Sequence, residues 1–331
     1  MSDTDWRKLL APLPELFLDR LQQLWGEEAP RWACALWQRP HVGFRINPLL
    51  APSEQEVLAE LEGAGISVFA VPWLAGAYRV SPTDRDALLA SEPYRKGWLY
   101  VQNLSSMLPV EALDPEPEDR VLDLCAAPGG KTLQLAARVR SPAQVLAVEK
   151  VRARYYKLRA NLMRFGASQV RTRCMDGRVA GRLWPGAFAR VLVDAPCSSE
   201  ARFRPEDPET YRYWSLPKVH AWARLGAALL ESGLQALQPG GRLVFATCTF
   251  APEENEAVLA AVLERQGPVV ELEPISWPFP NQQPGLLSWR GRRFPEAVRL
   301  ATRVLPTPEM EGFFVAVLRK RAPVGRKKGR R

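Results

Sequence analysis

The sequence predicts an α/β protein built on a parallel, doubly wound sheet, preceded by a smaller mixed α+β domain. Three observations predict it. From about residue 120, short apolar runs of strand type alternate with helical patterns, five such strands occur in succession, and the first hundred residues lack that rhythm. The chain has 331 residues, 47% of them hydrophobic, which is enough for one sizeable core and a second, smaller one.

In the leading domain, expected over 1–97, "PELFLDRLQQLWG" sets Leu16, Phe17, Leu21 and Leu24 at helical spacing. "SEQEVLAELEGAG" offers Ser53 as a cap, an apolar stripe and a glycine stop, and "HVGFRINPL" between them alternates like a strand. The segment "GWLYVQNLSSMLPVEALDPEPEDR" leads into the second domain, expected over 98–320. There "RVLDLCA" reads as a strand, "KTLQLAARV" as a helix, "AQVLAVE" as a strand, "VRARYYKLRANLMRFGA" as a basic amphipathic helix, and "SQVRTRCMD" as a third strand. "ARVLVDAP" is the fourth strand, followed by a long helix through "WARLGAALLESGLQAL", the turn "QPGG" and the fifth strand "RLVFATCTF". Residues 266–312, rich in Pro and Trp, read as irregular; "GFFVAVLRK" is a last strand, and the basic tail 321–331 is expected to be disordered.

Composition narrows the function. No apolar stretch approaches the roughly 20 residues needed to span a bilayer, and "MSDTDWRKLL" has no signal core, so a soluble, cytosolic protein is expected. Cys34, Cys125, Cys174, Cys197 and Cys248 lie far apart without a C-x-x-C pair, and His41 and His220 are the only histidines. Neither a disulfide framework nor a metal site is indicated. The net charge of +9 is uneven: residues 1–100 sum to −3, while 151–200 and 301–331 each sum to +7. Clustered positive charge points to a polyanionic partner.

The candidate cofactor site lies where strand "VLDLC" runs into "AAPGGKT". A glycine pair at a strand-to-helix turn lets backbone N–H groups approach a ligand at the carboxyl edge of such a sheet. Neither G-x-G-x-x-G nor G-x-x-x-x-G-K-[ST] is present. Carboxylates recur instead: Glu149 ends the second strand, Asp176 follows the third and Asp194 ends the fourth. Together they suit a ligand with a ribose, a base and a cation, and S-adenosylmethionine has all three.

Cys197 follows Asp194-Ala195-Pro196 at the end of the fourth strand, and Cys248 sits in "FATCTF" at the end of the fifth. Neighbouring strands would bring both thiols to the cofactor's crevice, whereas buried structural cysteines would sit mid-strand. A thiol beside a methyl donor points to pyrimidine chemistry. Adding a thiolate at carbon 6 makes carbon 5 nucleophilic enough to take the methyl group, and the thiolate leaves after the carbon-5 proton is removed. Its position after a proline makes Cys197 the first candidate for the attacking thiol. With no histidine nearby in sequence, thiolate formation would rest on local positive charge.

The motifs "DLCAAPGGKT", "DAPCSSE", "FATCTFAPEENEAVL" and "EGFFVAVLRK", led in by "YVQNLSSMLPVEALDP", resemble the Nol/Nop/Sun RNA cytosine-5 methyltransferases, especially the bacterial ribosomal-RNA members. The resemblance covers about 98–320 and implies a Rossmann-like class I methyltransferase fold. It implies that Cys248 is the nucleophile and that Cys197 assists release of the methylated RNA, with Asp194 and Lys131 at the reacting base. It places Cys125, Ala126, Ala127, Pro128, Gly129, Gly130, Lys131, Glu149, Arg154, Asp176 and Asp194 around S-adenosylmethionine. The domain containing "FRINPL" is similar to the family's accessory RNA-binding domain.

By resemblance the substrate is expected to be 16S ribosomal RNA, with transfer RNA the alternative, and the protein a monomer. The basic helix 152–164, "RFRPE" after Cys197 and the tail would then face RNA phosphates. Two departures stand out. Asn103 occupies a position where the family usually has an acid, and only eleven residues follow "GFFVAVLRK", so no further C-terminal RNA-binding domain is expected. A non-catalytic ribosome-assembly factor and a DNA or small-molecule methyltransferase are the competing classes; the intact cysteine pair and strand-end acids oppose the first, the charge distribution the second.

Overall fold

The computed structural model describes residues 3–38 and 40–321. Its leading segment forms two bodies. Helices α1 (Asp3–Leu9), α2 (Glu15–Trp25) and α3 (Ala29–Ala33) bury Phe17, Leu21 and Trp25 against Phe203, Phe250 and Leu305 of the second domain. The ring centroids of Phe17 and Phe203 lie 4.9 Å apart. Arg20, buried on α2, forks onto the two carboxylate oxygens of Glu253 at 3.0 and 2.6 Å.

The other body is an antiparallel sheet of β1 (Val42–Ile46), β2 (Phe69–Ala70), β3 (Ala77–Val80) and β4 (Leu99–Val101), ordered β2-β3-β1-β4. Helices α4 (Glu54–Gly63), α5 (Arg85–Ala90) and α6 (Glu92–Arg95) accompany it, and Ser53 caps α4 by accepting from the Glu56 amide. Because Phe44 pairs with Val101, this sheet runs past the expected boundary at residue 97. The lead-in motif thus spans two bodies, ending in α7 (Leu104–Leu113) of the second.

That second domain follows the expected alternation: β5 (Val121–Asp123), α8 (Gly130–Ala136), β6 (Val145–Glu149), α9 (Arg152–Arg164), β7 (Arg171–Cys174). Then come α10 (Ala180–Leu183), β8 (Phe188–Asp194), α11 (Leu216–Ala236), β9 (Leu237–Thr247) and α12 (Glu256–Gln266). The five strands are parallel, ordered β7-β6-β5-β8-β9, with helices on both faces. Strand order reverses at β5, which opens a crevice outside the carboxyl ends of β5 and β8.

Two stretches differ from expectation. "QPGG" lies inside β9: Leu237 pairs with Phe188 and Arg242 with Arg190, so the residues between bulge out, with Gly240 at φ +78°. The stretch 266–312 contributes β10 (Val270–Glu273), β11 (Gln282–Pro284) and β14 (Thr302–Val304), which with β15 (Phe313–Lys320) bring the sheet to nine strands through antiparallel pairing. Between them β12 (Ser288–Trp289) and β13 (Arg292–Arg293) form a small hairpin. Such short strands, one ending in Pro284, leave too few residues for alternation to show. Residues 322–331 of the expected tail lie outside the described residues. No described helix is long and apolar enough to cross a membrane.

Candidate active site

The crevice at the switch point holds a cavity of about 520 Å³. Residues 125–128, Gly130 and Lys131 of the turn, Arg154, Asp194, Cys197 and Cys248 all line it, with Ser106, Asp123, Arg202 and Phe313. Neighbouring strand ends β8 and β9 carry the two cysteines there, and their sulfurs lie 3.5 Å apart.

The thiols differ in electrostatics. The hydrogen bond from Cys197 pushes the Cys248 thiol below its usual range; burial and Asp194 oppose this, while the Arg202 guanidinium and Ser199 assist. The same bond and burial push Cys197 up. Cys125, the third thiol of the cleft, is raised by burial and by Asp123, Asp194 and Glu149, so it stays protonated. Of the three, Cys248 is the one set to ionise.

Lys131, nearly buried on the first turn of α8, donates to Ser106 Oγ at 2.6 Å and to Asp194 Oδ2 at 2.7 Å. It ties the glycine turn to the strand end before Cys197. The glycines serve packing as much as ligand approach. Gly129 has φ +114°, and a Cβ on Gly130 would stand 2.9 Å from Tyr100. The turn includes a cis Ala127–Pro128 bond, and the Ala127 carbonyl accepts from Arg154 at 2.7 Å.

Three expected residues, Gly129, Glu149 and Asp176, sit beside the cleft and not on its lining. Glu149 is buried, accepting from the Val151 amide at 2.8 Å with Arg154 3.7 Å away. Asp176 caps the next turn, and Arg178, with Lys150, holds its carboxyl well below the usual range. A second cavity of about 520 Å³ opens on this side, bounded by Lys150, Arg178 and Leu225, and meets the first at Cys197 and Trp222.

Several further residues belong to the site. Asp123 closes β5 as Glu149 closes β6, so the rule that selected the other strand-end acids applies to it. Its Oδ2 accepts from Thr132 at 2.7 Å, while the buried Oδ1 has no partner among the described residues. Burial pushes its carboxyl up to about 7, against the Thr132 bond. Glu254, inside the quoted "APEENEAVL", accepts from the Ser198 amide at 2.8 Å and binds its hydroxyl. Asn255 accepts from Thr247 at 2.6 Å and donates to the Thr249 carbonyl at 2.9 Å, so adjacent side chains grip both cysteine segments.

Other expectations are corrected or refined. Arg204 and Arg202 of "RFRPE" both pair with Glu311, at 3.0 and 3.5 Å, and of the two it is Arg202 that lines the cleft. Arg45 and Asn47 of "FRINPL" are buried and spent internally: Arg45 donates to the Gly130 carbonyl at 3.1 Å, and Asn47 to the Gly97 and Phe165 carbonyls. This motif therefore brackets the small sheet to the glycine turn. Asn103 caps α7, accepting from the Ser105 amide at 3.0 Å, a task an uncharged amide oxygen performs as a carboxylate would.

Comparison with known proteins gives a consistent picture. The model of a family described as 16S rRNA methyltransferase RsmB/F matches residues 110–319. The chain is similar to the ribosomal RNA small subunit methyltransferase F of Enterobacter sp. (strain 638), 37% identical over 88% of this chain and 59% of that one. It is also similar to that of Cronobacter sakazakii (strain ATCC BAA-894), 36% identical over 94% and 64%. The chain thus spans about three-fifths of the length of these curated relatives. A methyltransferase homolog protein from Pyrococcus horikoshii superposes with a TM-score of 0.81 at 33% identity, covering 97% of this chain and 100% of that one.

Proposed function

The chain belongs to the 16S rRNA methyltransferase RsmB/F family, and from that premise we propose that it methylates carbon 5 of a cytosine in small-subunit ribosomal RNA through a cysteine–cytosine adduct. The observation that carries the adduct is the pair of thiols 3.5 Å apart, of which only Cys248 is pushed toward ionisation.

S-adenosylmethionine, when bound, supplies an electrophilic methyl group. The residues assigned to hold it are the turn 125–131, Glu149, Arg154, Asp176 and Asp194. The unpartnered Asp123 Oδ1 fits such a ligand, being a buried acceptor at the cleft and suited to an ammonium group.

Cys248 adds its thiolate to carbon 6 of the cytosine, forming an S–C bond. Asp194, held by Lys131, shares a proton with the ring nitrogen, so the electron pair displaced by the thiolate is drawn into the ring and carbon 5 becomes nucleophilic. After carbon 5 is methylated, water in the cleft takes its proton, the pair of that C–H bond re-forms the double bond between carbons 5 and 6, and the S–C bond breaks with its pair leaving on the Cys248 thiolate, with Cys197 acting in this release. The cytosine must be unstacked to reach the cleft, which favours a loop or an opened helix.

The test is transfer of labelled methyl groups into purified RNA classes, followed by bisulfite sequencing of the labelled one. Label at a single cytosine of small-subunit ribosomal RNA is expected. Label in transfer RNA alone would move the substrate, and none in any RNA would refute the activity.

A further inference from the structure

Between Lys150 and Arg182 the chain carries ten Lys or Arg and a single acid, Asp176. The fold gathers this segment at one edge of the large sheet, where β7 is the terminal strand and α9 packs over it. Tyr155 of α9 meets Thr172 of β7 with their hydroxyls 3.1 Å apart, so Thr172 points toward the helix. Arg171 and Arg173, one residue to either side, therefore project to the opposite face of the strand. Both are exposed.

On α9 the buried stripe is Leu158 and Leu162. The outward stripe runs Arg152, Tyr156, Arg159 and Met163 at helical spacing, with Tyr156 52% and Met163 69% exposed. Lys157, Arg159 and Arg171 have no ion-pair partner among the described residues, and Arg173 reaches only a neighbouring carbonyl. A face kept charged for solubility alone would intersperse acids and would not leave a tyrosine and a methionine open among the cations. Unpaired cations interleaved with a stackable ring suit a ribose-phosphate chain.

We propose that the edge of the sheet, with the outward stripe of α9 on one side and Arg171 and Arg173 of β7 on the other, seats the phosphate backbone of RNA that wraps this edge as it flanks the target cytosine, outside the cleft; this rests on the RNA-methyltransferase reading above. α9 starts at the cleft, where Arg154 reaches the Ala127 carbonyl, and its 13 residues run about 20 Å away from it. That length follows several consecutive nucleotides. The contacts are electrostatic and independent of sequence, so they position the RNA and leave the choice of base to the cleft.

The test is the variant K157A/R159A/R171A/R173A, none of whose positions lines the cleft, measured against transcribed small-subunit ribosomal RNA over a salt series. Each phosphate contact contributes about 0.7 to 0.9 to the slope of log affinity against log salt, so the slope should become shallower by roughly 3. KM for RNA should rise at least about tenfold at 0.1 M salt, with kcat and calorimetric S-adenosylmethionine affinity unchanged. The charge-keeping variant K157R/R159K/R171K/R173K should restore both. An unchanged slope and KM would overturn the inference, as would a loss that the charge-keeping variant shares, or wild-type binding that needs ribosomal proteins and ignores free RNA. If the wild type methylates no RNA, the parent reading fails; if it does and the variant keeps the wild-type slope and KM, this inference alone fails.

Discussion

Replacing Glu254 with Gln should stabilise the protein at neutral pH and do nothing at acid pH. Glu254 is 2% exposed, and burial pushes its carboxyl from 4.5 up to about 8, against the bonds from Ser198. The folded chain therefore keeps this proton until the pH nears 8, while the unfolded chain releases it near 4.5. Wild-type stability is full below 4.5 and is lost progressively as the pH rises toward 8. At pH 7 the difference spans about 2.5 pH units at roughly 1.4 kcal/mol each, or about 3 kcal/mol. A glutamine carries no such penalty: its oxygen accepts from the Ser198 amide and its NH₂ donates to the Ser198 hydroxyl. Urea unfolding of both proteins from pH 4.5 to 8 should show curves that coincide at the acid end and separate by about 3 kcal/mol at pH 7. A gap that stays constant with pH would refute the reasoning. Because Glu254 is neutral at pH 7 in the folded protein, methyl transfer by E254Q should stay within a few-fold of wild type there.

Lys131→Met removes the cation that joins Ser106 to Asp194 and should lower kcat by on the order of 100-fold, read from single-turnover methyl transfer with saturating RNA; an effect confined to KM would contradict the role given to Lys131. Gly130→Ala drives a Cβ to within 2.9 Å of Tyr100 and should destabilise by about 1–3 kcal/mol, with weaker S-adenosylmethionine binding by calorimetry. Wild-type behaviour in both measurements would show that the small sheet yields at no cost.

The crevice was legible because its chemistry sits at strand ends, and strand ends are marked by apolar runs that stop at an acid or a cysteine. The pairing of Cys197 with Cys248 followed from placing two strands side by side, which the register of β8 with β9 bears out. What stayed hidden lacks a local pattern. Nothing in "APEENEAVL" tells that Glu254 reaches back to Ser198, a contact set by how the segment after β9 folds under the loop after β8. Arg45 and Asn47 likewise look like surface residues of a strand until the glycine turn and the end of α9 are packed against them. The antiparallel strands between 270 and 304 are too short to show a period, and their partner β15 supplies the order they lack.

In the proposed mechanism Cys248 attacks and Cys197 releases. Its most direct test is to incubate wild type, Cys248→Ala, Cys197→Ala and the double variant with S-adenosylmethionine and small-subunit ribosomal RNA, denature, and look for protein that migrates with RNA. A stable adduct is expected in Cys197→Ala alone, carrying a methylated cytosine on Cys248 by mass spectrometry. An adduct in Cys248→Ala, or one that persists in the double variant, would contradict it.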